Sequence, residues 1–235
     1  MKILSLITCC FVVLILSSCT QSKFYIAEGF ISVDPKAALI ITDVNEIDIS
    51  QNYELFTLDN LKRVRNSFFE LQRELLPLEI SKIASFNSVT ASLYQTSPQF
   101  EKKEFIVNKN EKVELMVPKS SIKYESEGNY YVLFFQDYKI GFELEETDSS
   151  DPARTVSAEK IPGLDPQLKL NKLYKPLFVI RTKYYIYDNN NANVLLAGNV
   201  IIKELYTLEM NLEKVLLESI KGLAKRIISK TPLEK

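Results

Sequence analysis

The chain has 235 residues, with 29 basic against 30 acidic side chains, no histidine, no tryptophan and three cysteines. Without histidine, Ser-His-Asp and Cys-His catalytic arrangements and histidine-bearing zinc sites are impossible, and the balanced charge lacks the basic face that a nucleic-acid surface needs. Six glycines, at positions 29, 128, 141, 163, 198 and 222, are too scattered for a phosphate-cradling loop or a dinucleotide fingerprint, so no cofactor is expected.

The first element is an export signal. Lys2 supplies one positive charge and residues 3–16 are almost unbroken apolar sequence, the layout of a secretory signal peptide. At ~1.5 Å per residue this run reaches about 20 Å, short of the ~30 Å hydrocarbon core that a spanning helix must cross. Leu16, Ser17, Ser18 and Cys19 then place an aliphatic residue and two small residues before a cysteine, which resembles the lipobox of bacterial lipoproteins. That resemblance implies lipidation of the Cys19 thiol and cleavage just before it. A thiolate is nucleophilic enough to take the diacylglycerol group, and two or more acyl chains hold a protein durably on a membrane. Residues 1–18 would then be the signal peptide and residues 19–35 the lipidated cysteine and its tether. Loss of Lys2 leaves 28 basic and 30 acidic side chains, and Cys9 and Cys10 depart with the signal. The alternative is an ordinary signal cut after Ser18, leaving a free thiol with no second mature cysteine to pair with.

Within the tether, residues 30–33 read as an edge strand stopped by Pro35. Residues 37–42, AALIIT, form a short apolar run suited to a buried strand. Leu58, Leu61, Val64, Phe68, Leu71 and Leu75 recur at intervals of three and four, one face of a helix, with Thr57 or Asp59 as its cap and Pro77 at its end. Val89, Ala91 and Leu93 alternate with polar residues as in a half-buried strand. Phe105 and Val107, then Val113, Leu115 and Val117, flank a polar turn and predict a hairpin. Residues 130–135, YYVLFF, belong at the centre of a sheet, and residues 138–144 continue or pair with them. Residues 145–171 bring acids, Pro152, Pro162, Gly163 and Pro166 with little periodicity, a long surface loop of a length that is often functional. Residues 177–188 and 194–205 are β-rich runs joined by asparagines able to take positive φ, hence a second hairpin. Leu212, Leu216, Ile220, Leu223 and Ile227, widened by Leu217, Ala224 and Ile228, make a terminal amphipathic helix that packs on it.

Three residue groups merit a chemical test. Ser120 with Lys123, and Ser157 with Lys160, have the serine–lysine spacing of penicillin-binding enzymes, but 20 serines and 23 lysines give roughly two such pairs by chance. Glu143, Glu145, Glu146, Asp148 and Asp151 could supply two carboxylates for glycoside cleavage, a reaction that needs a pair about 5 to 10 Å apart. The 188–193 segment, DNNNAN, begins like a calcium loop but lacks the sixth-position glycine and has Asn199 where the bidentate glutamate belongs.

Residues 184–229, from strand through hairpin into terminal helix, resemble the closing unit of small exported envelope lipoproteins: the penicillin-binding-protein activators, the Pel polysaccharide-export lipoprotein and the amino-terminal domain of TolB. The resemblance implies an accessory protein that binds or scaffolds envelope machinery, often as an oligomer, with no catalytic residues. The expected fold is α+β, a mainly antiparallel sheet covered by two amphipathic helices, as one domain over residues 36–235. The expected function is that of a lipid-anchored, non-enzymatic envelope lipoprotein outside the cytoplasm. Its partners would be the membrane, through the N-terminal lipid, and an envelope protein or a second copy, with no nucleic acid and no metal. Thr20, where an inner-membrane retention signal would carry aspartate, favours the outer membrane in a species that has one. The competing readings are a carboxylate-based glycan hydrolase and a carrier of lipid or a small ligand.

Overall fold

The computed structural model describes residues 24–34, 36–42, 47–50, 58–92, 98–108, 111–122, 130–148, 156–157, 173–206 and 211–235. Ten strands and two helices occur among them: β1 (Phe24–Ile26), β2 (Ala38–Thr42), β3 (Asp48–Ser50), α1 (Leu58–Ile83), β4 (Ser88–Ser92), β5 (Phe100–Asn108), β6 (Glu111–Pro118), β7 (Tyr130–Thr147), β8 (Val156–Ser157), β9 (Leu173–Asp188), β10 (Asn193–Leu205) and α2 (Leu212–Ile228). The fold is α+β, with a mixed, mostly antiparallel sheet in the order β1-β10-β9-β7-β2-β4. Beyond that path β3 pairs with β7 and β8 with β9, while β5 and β6 form a separate hairpin.

The long strands β7, β9 and β10 are antiparallel, but β2 runs parallel to both of its neighbours, β4 and β7. Parallel neighbours need a crossover, and the chain makes two. Helix α1 carries it from β2 to β4 on one face of the sheet. The β5–β6 hairpin lies between β4 and β7 and covers the opposite face. Period-two alternation then separates two cores. On the helix side, Leu39, Ile41, Leu133, Phe178, Tyr184, Ile186, Leu196 and Ile202 pack with Val64, Phe68, Leu76 and Ile80 of α1 and with Leu216, Ile220, Leu223 and Ile227 of α2. On the hairpin side, Ile40, Val132, Phe134, Tyr185 and Tyr187 meet Phe105, Val107, Val113, Leu115 and Val117. Rings of Phe134 and Tyr185 stack at 4.8 Å.

The hairpin is tied to the sheet by side chains that substitute for strand pairing. Met116 N donates to Gln136 Oε1 at 2.9 Å and the Gln136 amide donates back to Met116 O. Tyr185 Oη also donates to Met116 O. Just beyond β6, Asn189 Oδ1 accepts from Ile122 N while its Nδ2 donates to Ile122 O. These bonds satisfy backbone groups that burial would otherwise leave without water or partner.

Several expectations change. Residues 30–33 form no strand; β1 instead is Phe24–Ile26, which pairs with residues 196–198 of β10, and Val33 is buried without ladder pairing. Helix α1 does not stop at Pro77 but runs through it to Ile83. An interior proline costs about 3 kcal/mol, and burial of Leu76, Ile80 and Ala84, all fully enclosed, outweighs it. Leu71 and Leu75 are partly buried and pack against the core, while Gln72 and Leu76 beside them are the more deeply buried. Leu58 and Leu61 lie where side chains are not described, and Thr57 outside the described residues; Asp59 is within the helix. Residues 138–144 continue β7 through a bulge at residues 136–139, where Asp137 has φ 50°. Of the 145–171 stretch, β7 takes residues up to Thr147, Asp148 follows it exposed, and β8 pairs with the start of β9; residues 149–155 and 158–171 lie outside the described residues.

Candidate functional site

Leu16, Ser17, Ser18 and Cys19 lie outside the described residues. So do Lys123, Lys160 and Asp151, so neither serine–lysine pair can be placed. The nearest described position to Cys19 is Phe24, which opens β1 at the outer edge of β10, opposite Gly198.

Glu143 and Glu145 are two residues apart on β7 and therefore project from the same face, their Cα atoms about 7 Å apart. That separation suits two-carboxylate chemistry, but their electrostatics do not. Arg181 on β9 forks onto Glu143, with Nη1 donating to Oε1 and Nη2 to Oε2 at 2.8 Å. This charge-assisted bond holds the Glu143 carboxyl below its ordinary pKa. Lys203 reaches across β9 from β10 to Glu145, 2.8 Å away, and likewise holds that carboxyl down. A general acid for glycoside cleavage needs a raised pKa. The two acids are the cross-strand anions of a salt-bridged sheet face, and the alternating charges on β7, β9 and β10 were the signal for it.

The DNNNAN segment is a hairpin turn. Both Asp188 carboxylate oxygens accept from within the turn: Oδ1 from the backbone N–H groups of Asn190 and Asn191 at 2.9 and 3.1 Å, and Oδ2 from Asn191 Nδ2 at 2.8 Å. Donors occupy the positions that a cation would need. Positive φ falls on Ala192, at 51°, and not on an asparagine, since Asn189 is committed to Ile122. Among the described residues no group of three metal-ligating side chains converges.

A feature that residue patterns did not single out is an open cleft of about 350 Å³ between the outer edge of β10 and the last turn of α2. Lys203, Glu204, Lys225, Arg226 and Lys230 stand around it. Gly222 faces Ile202 and Glu204 across the cleft, and a Cβ there would meet Ile202 Cγ2 at 3.4 Å, an ordinary contact. Desolvation, with the Glu218 charge second, pushes the Glu204 carboxyl above its ordinary pKa. Lys225 and Arg226 occupy the carbonyl end of α2, where cations offset the helix dipole. No described strand pairs with β10 beyond Gly198 on this edge, and Ile201 is half exposed there.

No helix among the described residues is long and apolar enough to cross a membrane. No protein-family profile matches the sequence, and no curated protein matches it. Distant similarity of structure extends to a neuraminyllactose-binding hemagglutinin homologue from Helicobacter pylori, at 8% identity and a TM-score of 0.40, over 88% of this chain and 93% of that one. It extends also to the PelC dodecamer from Paraburkholderia phytofirmans, at 9% identity and a TM-score of 0.34, over 90% of this chain and 98% of that one.

Proposed function

We propose that this chain is a lipid-anchored, non-enzymatic protein of the cell envelope, held to its membrane through Cys19 and acting as a binding or scaffolding accessory of envelope assembly or transport. The observation that carries the non-enzymatic part is the pairing of Glu143 with Arg181 and of Glu145 with Lys203: two of the candidate carboxylates are held as anions by cations on neighbouring strands. A carrier would need space between sheet and helices, and Phe68, Leu76, Ile80, Phe178 and Tyr184 fill that layer, each almost wholly buried.

Two measurements test the proposal. Mass spectrometry of the amino-terminal peptide from the mature protein should show diacylglyceryl-modified Cys19; an unmodified terminus would remove the anchor. Crosslinking of the membrane-bound protein in cells should then capture a reproducible envelope partner or a second copy, whereas release of sugar from peptidoglycan or surface polysaccharide by the purified protein, abolished by Glu143→Gln, would establish the hydrolase instead.

A further inference from the structure

Strand β1 is three residues long, but the edge it covers continues past it. Phe24 stands opposite Gly198, Tyr25 opposite Ala197 and Ile26 opposite Leu196, and on the next rung Ala27 N donates to Leu195 O at 2.8 Å. That bond fixes which β10 groups face outward. Backbone groups of alternate residues point the same way along a strand, so the N–H and C=O of Ala197, Asn199, Ile201 and Lys203 face the β1 side. Ala197 meets Tyr25 there, and no described strand meets the other three. Such an edge is a template for one more strand.

The chain that arrives at Phe24 is placed to supply it. Carried back without a shift, the β1 register sets Lys23 opposite Asn199, Ser22 opposite Val200, Gln21 opposite Ile201 and Thr20 opposite Ile202. Residues 19–23 contain neither proline nor glycine, so nothing in them opposes an edge strand. Residues directly opposite one another share a face of the sheet, and Val200 and Ile202 belong to the helix side. Ser22 and Thr20 would therefore point into the cleft of about 350 Å³ between β10 and α2, where Gly222 contributes no side chain of its own. Two short hydroxyl side chains suit that narrow, open space.

We infer that residues 20–23 extend β1 along the outer edge of β10 and are the occupant of this cleft, so that the tether is an edge strand of the sheet and not a free leash. The pairing itself does not depend on a lipid. Its consequence for attachment rests on the Cys19 anchor proposed above: a zippered tether sets Cys19 opposite Lys203, about 17 Å along the edge from Phe24. The acyl group then holds the domain at a fixed point of its edge, beside the last turn of α2.

The test is a disulfide in the mature protein carrying Ser22→Cys and Val200→Cys. Those positions form a pair without mutual hydrogen bonds, whose Cα atoms stand about 4.5 Å apart, inside the range of roughly 4.4–6.8 Å that a disulfide bridges. Mild oxidation should link them within one chain at roughly tenfold the yield of a Ser22→Cys, Glu204→Cys pair, in which the second cysteine lies about 13 Å further along the same face. Equal yields would show a roaming tether, and a link between two chains would show that a second copy takes the edge; either overturns the inference. Val200 is buried, so a second measurement leaves it untouched. The Ile201 N–H should exchange with solvent roughly tenfold faster in Gln21→Pro than in wild type, the factor for losing about one hydrogen bond, while the N–H of Ile202, which pairs with Ile180 of β9, keeps its rate. Unchanged exchange at Ile201 would overturn the inference. The amino-terminal mass, read on the same sample, reports separately whether the anchor exists.

Discussion

Tyr138 and Gln72 carry buried polar atoms, the Tyr138 hydroxyl and Gln72 Oε1, with no hydrogen-bond partner among the described residues. Tyr138 is 2% exposed, packed 5.8 Å from the Phe68 ring and 5.6 Å from that of Phe135, and burial pushes its hydroxyl pKa up. A buried, unpaired hydroxyl costs about 1–3 kcal/mol. Tyr138→Phe should therefore raise unfolding free energy by roughly 1 kcal/mol, measurable by urea denaturation, and a loss of stability would reveal a partner for the hydroxyl. Glu143 gives a pH prediction. Its carboxyl is held below the ordinary value by Arg181, so its contribution is fully present above about pH 4.3, the value in an unfolded chain, and is lost as pH falls through the lower folded value. Wild type should exceed Glu143→Gln in urea midpoint at pH 7, and the gap should narrow below about pH 4. A gap independent of pH would show that the fork is not ionic.

At the scale of elements, α2 followed its sequence pattern closely. Leu216, Ile220, Leu223, Ala224, Ile227 and Ile228 are buried, because a spacing of three and four residues selects one face whatever that face meets. Asn211 caps the helix, its side chain accepting from Glu213 N at 2.9 Å. Leu223 is wholly buried, so Leu223→Ala should cost about 2 to 5 kcal/mol, while Glu218→Ala on the exposed face should change stability by no more than roughly 0.5 kcal/mol. Thermal unfolding of both variants checks the ranking. Helix α1 was less legible: its proline and its buried glutamine contradict local rules, and only the neighbouring sheet and α2 make a 26-residue helix the better use of that segment. The β5–β6 hairpin was visible as alternation, but its docking was not, since the tyrosines and asparagine that hold it come from β9 and the turn after it.

At the scale of the molecule, the sheet has a helix layer on one face and a hairpin on the other, and β1 brings the amino-terminal segment to its outer edge. Changing Cys19 to alanine should release the protein from the membrane fraction or leave it unprocessed, as cell fractionation and the mass of the mature chain will show. Unaltered membrane retention with correct processing would place attachment elsewhere on the surface.

The sequence by itself determined the class of fold, the two hairpins, the terminal helix and the exclusion of histidine-based chemistry, because hydrophobic periodicity and residue inventory are local properties. Only the tertiary structure decided that β2 is parallel to both neighbours, that α1 passes through Pro77, and that Glu143 and Glu145 are held as anions by Arg181 and Lys203. Each of these depends on residues far apart in the chain. Their partners are chosen by strand order and by which face each crossover covers, and neither is written in the spacing of any one segment.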